Sequence, residues 1–302
     1  MVQVHIVSGF LGAGKTTLIR KLIKNIQGKK VIIENEFGEV GIDGETIKRE
    51  NYDVVEMASG CICCSMKGDF KDTLLTVIRD YRPEHIIIEP TGVGMLSQIL
   101  DMFYDHEIKE KCILMIPITV VDSIDYLEQS ENFGSFFSDQ IANAGIVILS
   151  KTKFMKKNDL DIITESIKKL NPRAEILSEN WEDLTEIEYC TMSDSRYDLS
   201  KREIIFSENI RNLSKNIQSL SIKIPKHFCK KDLEASLERL PDEKNGKIIR
   251  AKGYVDGKDG ALEFSYVNGR YTVEFCGSQV SSRICIIGCS LKKNALLDLF
   301  SV

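Results

Sequence analysis

The chain has 302 residues, 43% of them hydrophobic and 28% charged, with a formal net charge of −5. That length allows a sizeable core and two domains, and the composition is that of an ordinary globular protein. A negative balance argues against a general nucleic-acid or anionic-membrane binder, which needs a basic face.

In chain order, Val2–Val7 reads as an apolar strand, and Lys15–Ile26 as a helix with Leu18, Ile19, Leu22, Ile23 and Ile26 on one side. Between them lies Gly9-Phe-Leu-Gly-Ala-Gly-Lys-Thr-Thr17, which fits the phosphate-binding template GxxxxGK[ST]. Successive backbone N–H groups of such a loop wrap a polyphosphate, and the helix that follows turns its positive dipole end toward the anion. Gly12, Ala13, Gly14, Lys15, Thr16 and Thr17 are therefore the expected nucleotide contacts. Lys15 reaches the β- and γ-phosphates as a catalytic cation, and the Thr16 hydroxyl holds magnesium. A chance glycine-rich turn is the alternative, and the strand before and helix after argue against it.

Lys30–Glu34 is the next strand. It enters Asn35-Glu-Phe-Gly-Glu39, where Glu34, Glu36 and Glu39 place three carboxylates within six residues. Crowded carboxylates repel unless a cation sits among them. Beside a phosphate loop, at least one of them, with Glu36 as the catalytic candidate, is assigned to positioning a metal or water. A solvated loop is the plainer reading. Asp53–Met57 is a further strand and leads into Ala58-Ser-Gly-Cys-Ile-Cys-Cys64.

A helix is expected over Asp69–Tyr81, then strands at His85–Ile88, Cys112–Val121 and Ala144–Leu149, a helix over Asp159–Leu170 and a strand at Ala174–Leu177. Continuous apolar strands separated by helices predict an α/β domain whose mainly parallel sheet is covered by helices on both faces. Ligands of such sheets gather beyond the carboxyl ends of the strands, where these motifs fall. Glu89, followed by Pro-Thr-Gly92, is expected to support magnesium through water. Asp122 either joins that network or caps the helix after Ser123.

Residues 188–214 are polar and weakly periodic and read as a linker, with one short strand at Ile204–Phe206. Strands at Ser219–Ile224, Lys247–Val255, Ala261–Val267, Tyr271–Phe275 and Arg283–Ile287, with helices at Lys230–Leu240 and Leu291–Phe300, predict a small α+β domain over 215–302. Turns are expected at Asp256-Gly257 and Asn268-Gly269. The nucleotide-binding domain is assigned to 1–187.

Nine cysteines is an odd number. Cys61, Cys63 and Cys64 are dense enough to read as soft ligands for zinc or another transition metal, with Glu34 or Glu39 as a further ligand. A redox-sensing thiol group is the alternative. The other cysteines are scattered core fillers, and Trp181 needs no role beyond packing. His5 and His85 are expected to be buried and His106 exposed. The longest apolar stretches, such as Cys112–Val121, are too short to cross a bilayer. The N-terminus carries no secretory signature, so a cytoplasmic location is expected.

Gly9–Thr17, Glu34-Asn-Glu-Phe-Gly-Glu39, Gly60-Cys-Ile-Cys-Cys64 and Glu89-Pro-Thr-Gly92 resemble, in order and spacing, the CobW-like GTPases, relatives of the UreG and HypB metallochaperones. Arg250-Ala-Lys-Gly253 is similar to the core strand of the CobW C-terminal domain. The resemblance implies a P-loop fold, slow GTP hydrolysis to GDP with Mg²⁺, and delivery of zinc or another metal. The recipient is a client metalloprotein or a cobalamin-related enzyme, and a homodimer stays open. It also implies that Lys151 stacks along the guanine base. At Ser150-Lys-Thr-Lys153, however, the family's base-reading carboxylate is replaced by Lys153, which offers donors only. Weakened guanine selectivity is the expectation. Two rival readings are a client activator that carries no metal itself and a non-hydrolysing metal or redox sensor.

Overall fold

Continuous runs such as Val31–Ile33 and Ile86–Ile88 become central strands because both of their faces are buried. The computed structural model describes residues 1–34, 53–56, 67–92, 94–181, 184, 195–201, 217–223, 227–257, 260–267, 269–276 and 282–301. The strands are β1 (Val2–Gly9), β2 (Lys30–Glu34), β3 (Asp53–Glu56), β4 (His85–Glu89), β5 (Cys112–Leu114), β6 (Ile118–Asp122), β7 (Ile146–Ser150) and β8 (Glu175–Leu177). They form one sheet in the order β3-β2-β4-β1-β6-β7-β8, with β5 paired to β1. Every pairing among them is parallel.

The helices of this unit are α1 (Lys15–Asn25), α2 (Lys67–Tyr81), α3 (Leu96–Met102), α4 (His106–Lys111), α5 (Tyr126–Ala142) and α6 (Lys157–Leu170). On one face Val4, Ile6, Ile33 and Ile88 pack against Phe70, Leu74, Ile99 and Ile108. On the other, Val7, Ile32, Ile87 and Val120 pack against Leu18, Ile19, Leu22 and Ile23 of α1. That alternation along each strand explains why the runs carry no polar face.

Two sequence expectations change. The run Cys112–Val121 is two strands, not one: β5 pairs with the start of β1 and β6 with its end. Pro117 lies between them, has no N–H for a ladder, and offers its carbonyl to Gly145 N and Ile146 N at 2.9 and 3.1 Å. Helices α3 and α4 were not anticipated, and α5, expected only as a helix starting after Ser123, runs from Tyr126 to Ala142. α4 is short and owes its start to Asp105, whose carboxylate accepts from Glu107 N and Ile108 N. α5 carries a break at Gly134, with φ 19° and ψ −88°. Residues 195–201, inside the segment read as linker, run beside β5: Met115 bridges Arg196, and Tyr197 N donates to Leu114 O at 2.9 Å.

The second unit holds β9 (Ile217–Lys223), α7 (Lys230–Glu238), β10 (Lys247–Val255), β11 (Ala261–Val267), β12 (Arg270–Cys276), β13 (Arg283–Cys289) and α8 (Lys293–Ser301). Its sheet runs β12-β11-β10-β13-β9 and is antiparallel throughout. Leu233, Leu237, Leu296 and Phe300 of the helices pack with Ala251, Phe264, Ile284 and Ile286. Among the described residues no helix is long and apolar enough to cross a membrane.

Candidate nucleotide site

The phosphate loop begins at the end of β1, where Gly9 pairs with Val120 of β6. Gly9 has φ 145°, and a Cβ there would lie 2.3 Å from Val120 O, so only glycine allows β1 and β6 to close up. Gly12 and Gly14 also take positive φ, 75° and 105°, and Gly14 is the left-handed N-cap of α1. Ala13 N donates to Phe10 O at 3.2 Å, closing the loop into a cradle that opens at the helix N-terminus.

Four side chains gather here. Lys15 is buried, and its Nζ donates to Phe10 O at 3.3 Å, which holds the ammonium along the loop. Thr16 Oγ1 donates to Glu89 Oε1 and Oε2 at 2.9 and 3.2 Å. Glu34 is buried, and the β2–β4 register sets it directly beside Glu89. A hydroxyl and neighbouring carboxylates are hard oxygen donors of the kind Mg²⁺ prefers, and the glycine cradle supplies amide donors for phosphates. Donor set and cradle fit a magnesium–nucleotide pair. Thr17 is exposed at the same turn.

Glu36, Glu39, Cys61, Cys63 and Cys64 lie outside the described residues. Of the expected transition-metal ligands, Glu34 alone is described. Among the described residues no three His, Cys, Asp or Glu side chains gather for a metal.

On the base side, Lys151 ends β7 in the left-handed conformation, φ 59°. Its Nζ meets Asp122 Oδ2 at 2.5 Å. Asp122 is buried, and its Oδ1 accepts from Ile124 N at 3.0 Å. Asp122 therefore ties down Lys151 and the turn ahead of α5, whose N-cap is Asp125. Lys153 is exposed, with Nζ 5.3 Å from the Phe154 ring centroid.

Sequence reasoning gave Trp181 a packing role without its place, and missed two further contributors. Trp181 is buried beside the loop, 3.9 Å from where a Gly14 Cβ would stand, with Lys21 Nζ 5.2 Å from its ring centroid. The Asp122–Lys151 pair spans two strands and leaves no local signature. Gln140, fully buried on α5, donates from Nε2 to Gly92 O and Gly94 O at 3.1 and 2.8 Å. Its one legible signal is a polar residue inside the apolar stripe Phe136, Phe137, Ile141.

A glycine cradle at the carboxyl end of a parallel sheet, with Lys15, Thr16 and Glu89 converging on it, defines a P-loop nucleotide-binding protein. The profile of the CobW/HypB/UreG nucleotide-binding domain matches residues 3–178, and that of the cobalamin synthesis protein CobW C-terminal domain matches residues 217–302. The chain belongs to the CobW/HypB/UreG family, the P-loop GTPase family that its motifs resemble.

Zinc chaperone CobW of Sinorhizobium sp is 30% identical over 207 residues, which are 59% of this chain and 58% of that protein. Zinc chaperone YjiA of Escherichia coli is 26% identical over 287 residues, 91% of this chain and 88% of that protein. The zinc-regulated GTPase metalloprotein activator 1 of Schizosaccharomyces pombe is 32% identical over 203 residues, 62% of this chain and 48% of that protein. The chain thus spans about half the length of two of these relatives. The crystal structure of zinc-bound YjiA GTPase from E. coli matches with a TM-score of 0.49 and 20% identity, covering 99% of this chain and 98% of that one.

Proposed function

We propose that this protein is a GTP-hydrolysing metal chaperone that binds zinc and passes it to a client metalloprotein. The Thr16–Glu89 contact carries the reading, because it brings a metal-holding hydroxyl and its supporting carboxylate to the mouth of a phosphate cradle. The names of the relatives, zinc chaperones and a zinc-regulated GTPase activator, support the cargo.

The loop N–H groups and the Lys15 ammonium hold the β- and γ-phosphates and offset charge as the γ-phosphoryl group leaves. Thr16 and Glu89 would hold Mg²⁺, which neutralises phosphate oxygens when bound. Glu36 orients the attacking water, and inorganic phosphate and GDP are the products. Cys61, Cys63 and Cys64, with Glu34 or Glu39, take the zinc; in sequence the cysteines follow β3 closely, Glu34 ends β2 and Glu39 follows it. Losing the γ-phosphate relaxes the segment after Glu34 and changes zinc affinity.

Phosphate release from GTP by the reduced, purified protein with Mg²⁺ tests the hydrolysis. Lys15→Ala is expected to lower the rate by about a hundredfold or more, the cost of losing a preorganised charge. An unchanged rate in that variant would refute the assignment.

A further inference from the structure

The turn after β4 is gripped from α5 by two consecutive residues. Gln140 Nε2 donates to Gly92 O and Gly94 O, and Asp139 Oδ2 accepts from Ser97 N at 3.0 Å, at the first turn of α3. α5 is itself fixed to the sheet there, since Thr119 Oγ1 donates to Gln140 O at 2.8 Å. The gripped turn touches the phosphate loop. A Cβ on Gly92 would lie 2.7 Å from Leu11 N and 2.6 Å from Leu11 Cδ2, so the turn backbone packs directly on the loop backbone. Three residues before Gly92 is Glu89, bonded to Thr16.

This geometry ties the turn at one end to the metal-holding pair and at the other to α5, with the phosphate loop pressed against its middle. Gln140 Oε1, equally buried, has no hydrogen-bond partner among the described residues. An unmet buried acceptor is costly, so the polar end of Gln140 is held in place for its donor contacts with the turn. The amide therefore spends its donor end on the two turn carbonyls.

We propose that Gln140 is the positioning residue of the terminal-phosphate side of the site. By holding the Gly92 and Gly94 carbonyls it sets where the turn meets the phosphate loop. The proposal rests on the reading of the chain as a nucleotide hydrolase, and it deepens that reading.

Gln140→Met keeps length and shape and removes both polar atoms. With the full-length protein, kcat for GTP and the dissociation constants of GDP and of a non-hydrolysable GTP analogue are measured together. The expected result is a kcat lowered by about tenfold or more and a similar loss of affinity for the analogue, with GDP binding within about twofold, the pattern of a residue that acts through the third phosphate. A merely structural Gln140 would weaken GDP and the analogue alike, and that outcome, or an unchanged kcat, overturns the proposal. Gln140→Asn, whose amide stops one methylene short of the turn, gives the same comparison if Gln140→Met does not fold. If the wild-type protein hydrolyses nothing, the hydrolase reading fails, whereas the ratio of analogue to GDP affinity still tests the grip on the turn.

Discussion

Thr16 Oγ1 and Glu89, 73 residues apart in sequence, meet through hydrogen bonds of 2.9 and 3.2 Å to both carboxylate oxygens. α1 brings the threonine and β4 the glutamate, and the parallel pairing of β1 with β4 fixes their distance. Thr16→Val removes the hydroxyl and keeps the shape. Glu89→Gln keeps the shape and removes the charge. Both are expected to lower Mg²⁺-dependent phosphate release by about ten- to a hundredfold, with folding retained. Titrating Mg²⁺ against rate checks this, and wild-type Mg²⁺ dependence in either variant would count against the assignment.

The base side makes a second prediction. Lys151 is held by buried Asp122, and the resemblance of Ser150-Lys-Thr-Lys153 to the family's base-reading element implies that Lys153 supplies donors where a carboxylate would accept. Losing charge-assisted bonds to the guanine edge costs on the order of 1.5–3 kcal/mol, so GTP preference should fall by roughly ten- to a hundredfold. Competition between GTP and ATP is expected to give a preference below about a thousandfold. Asp122→Asn, which frees Lys151, should weaken binding of both nucleotides; a larger preference, or unaltered binding in the variant, speaks against this account.

A third prediction concerns acid stability. His5 is buried in β1, its Nε2 lies 3.1 Å from His85 Nδ1, and burial, with His85 adding to it, lowers the His5 pKa to about 3. The folded value lies below the unfolded one, so the unfolded chain takes a proton that the folded chain refuses. Stability is full above about pH 6.5 and falls with acidification toward pH 3, by at most about 1.4 kcal/mol per pH unit from this group. His5→Gln removes that component. Denaturant unfolding of both proteins between pH 7 and 5 should show the wild type losing its relative stability faster; parallel pH profiles would show that His5 contributes nothing.

The phosphate loop and most strands were legible because each is a local signal. A glycine pattern specifies a cradle by backbone geometry, and strands buried on both faces are unbroken apolar runs. The β5–β6 division had one legible signal, Pro117, which breaks a ladder but was outweighed by the unbroken apolar run around it; that β1 takes the two pieces as partners in series shows only in the assembled sheet. The start of α5 was legible after Ser123, but its extent was not, because Gly134 interrupts its periodicity. Gln140, Trp181 and the Asp122–Lys151 pair act across elements, and no spacing rule connects residue 92 to 140 or 14 to 181. The thiol cluster and the carboxylates at 36 and 39 stand on sequence and resemblance, while Glu34 has a place in the fold beside Glu89.

The central claim is that nucleotide state and metal binding are coupled in one protein. The most direct measurement is the zinc affinity of the reduced protein, by competition with a chromophoric chelator, once with GDP bound and once with a non-hydrolysable GTP analogue. The account predicts affinities that differ by about fivefold or more, the scale of an ordinary coupling free energy between two sites. Equal affinities in the two states would contradict it.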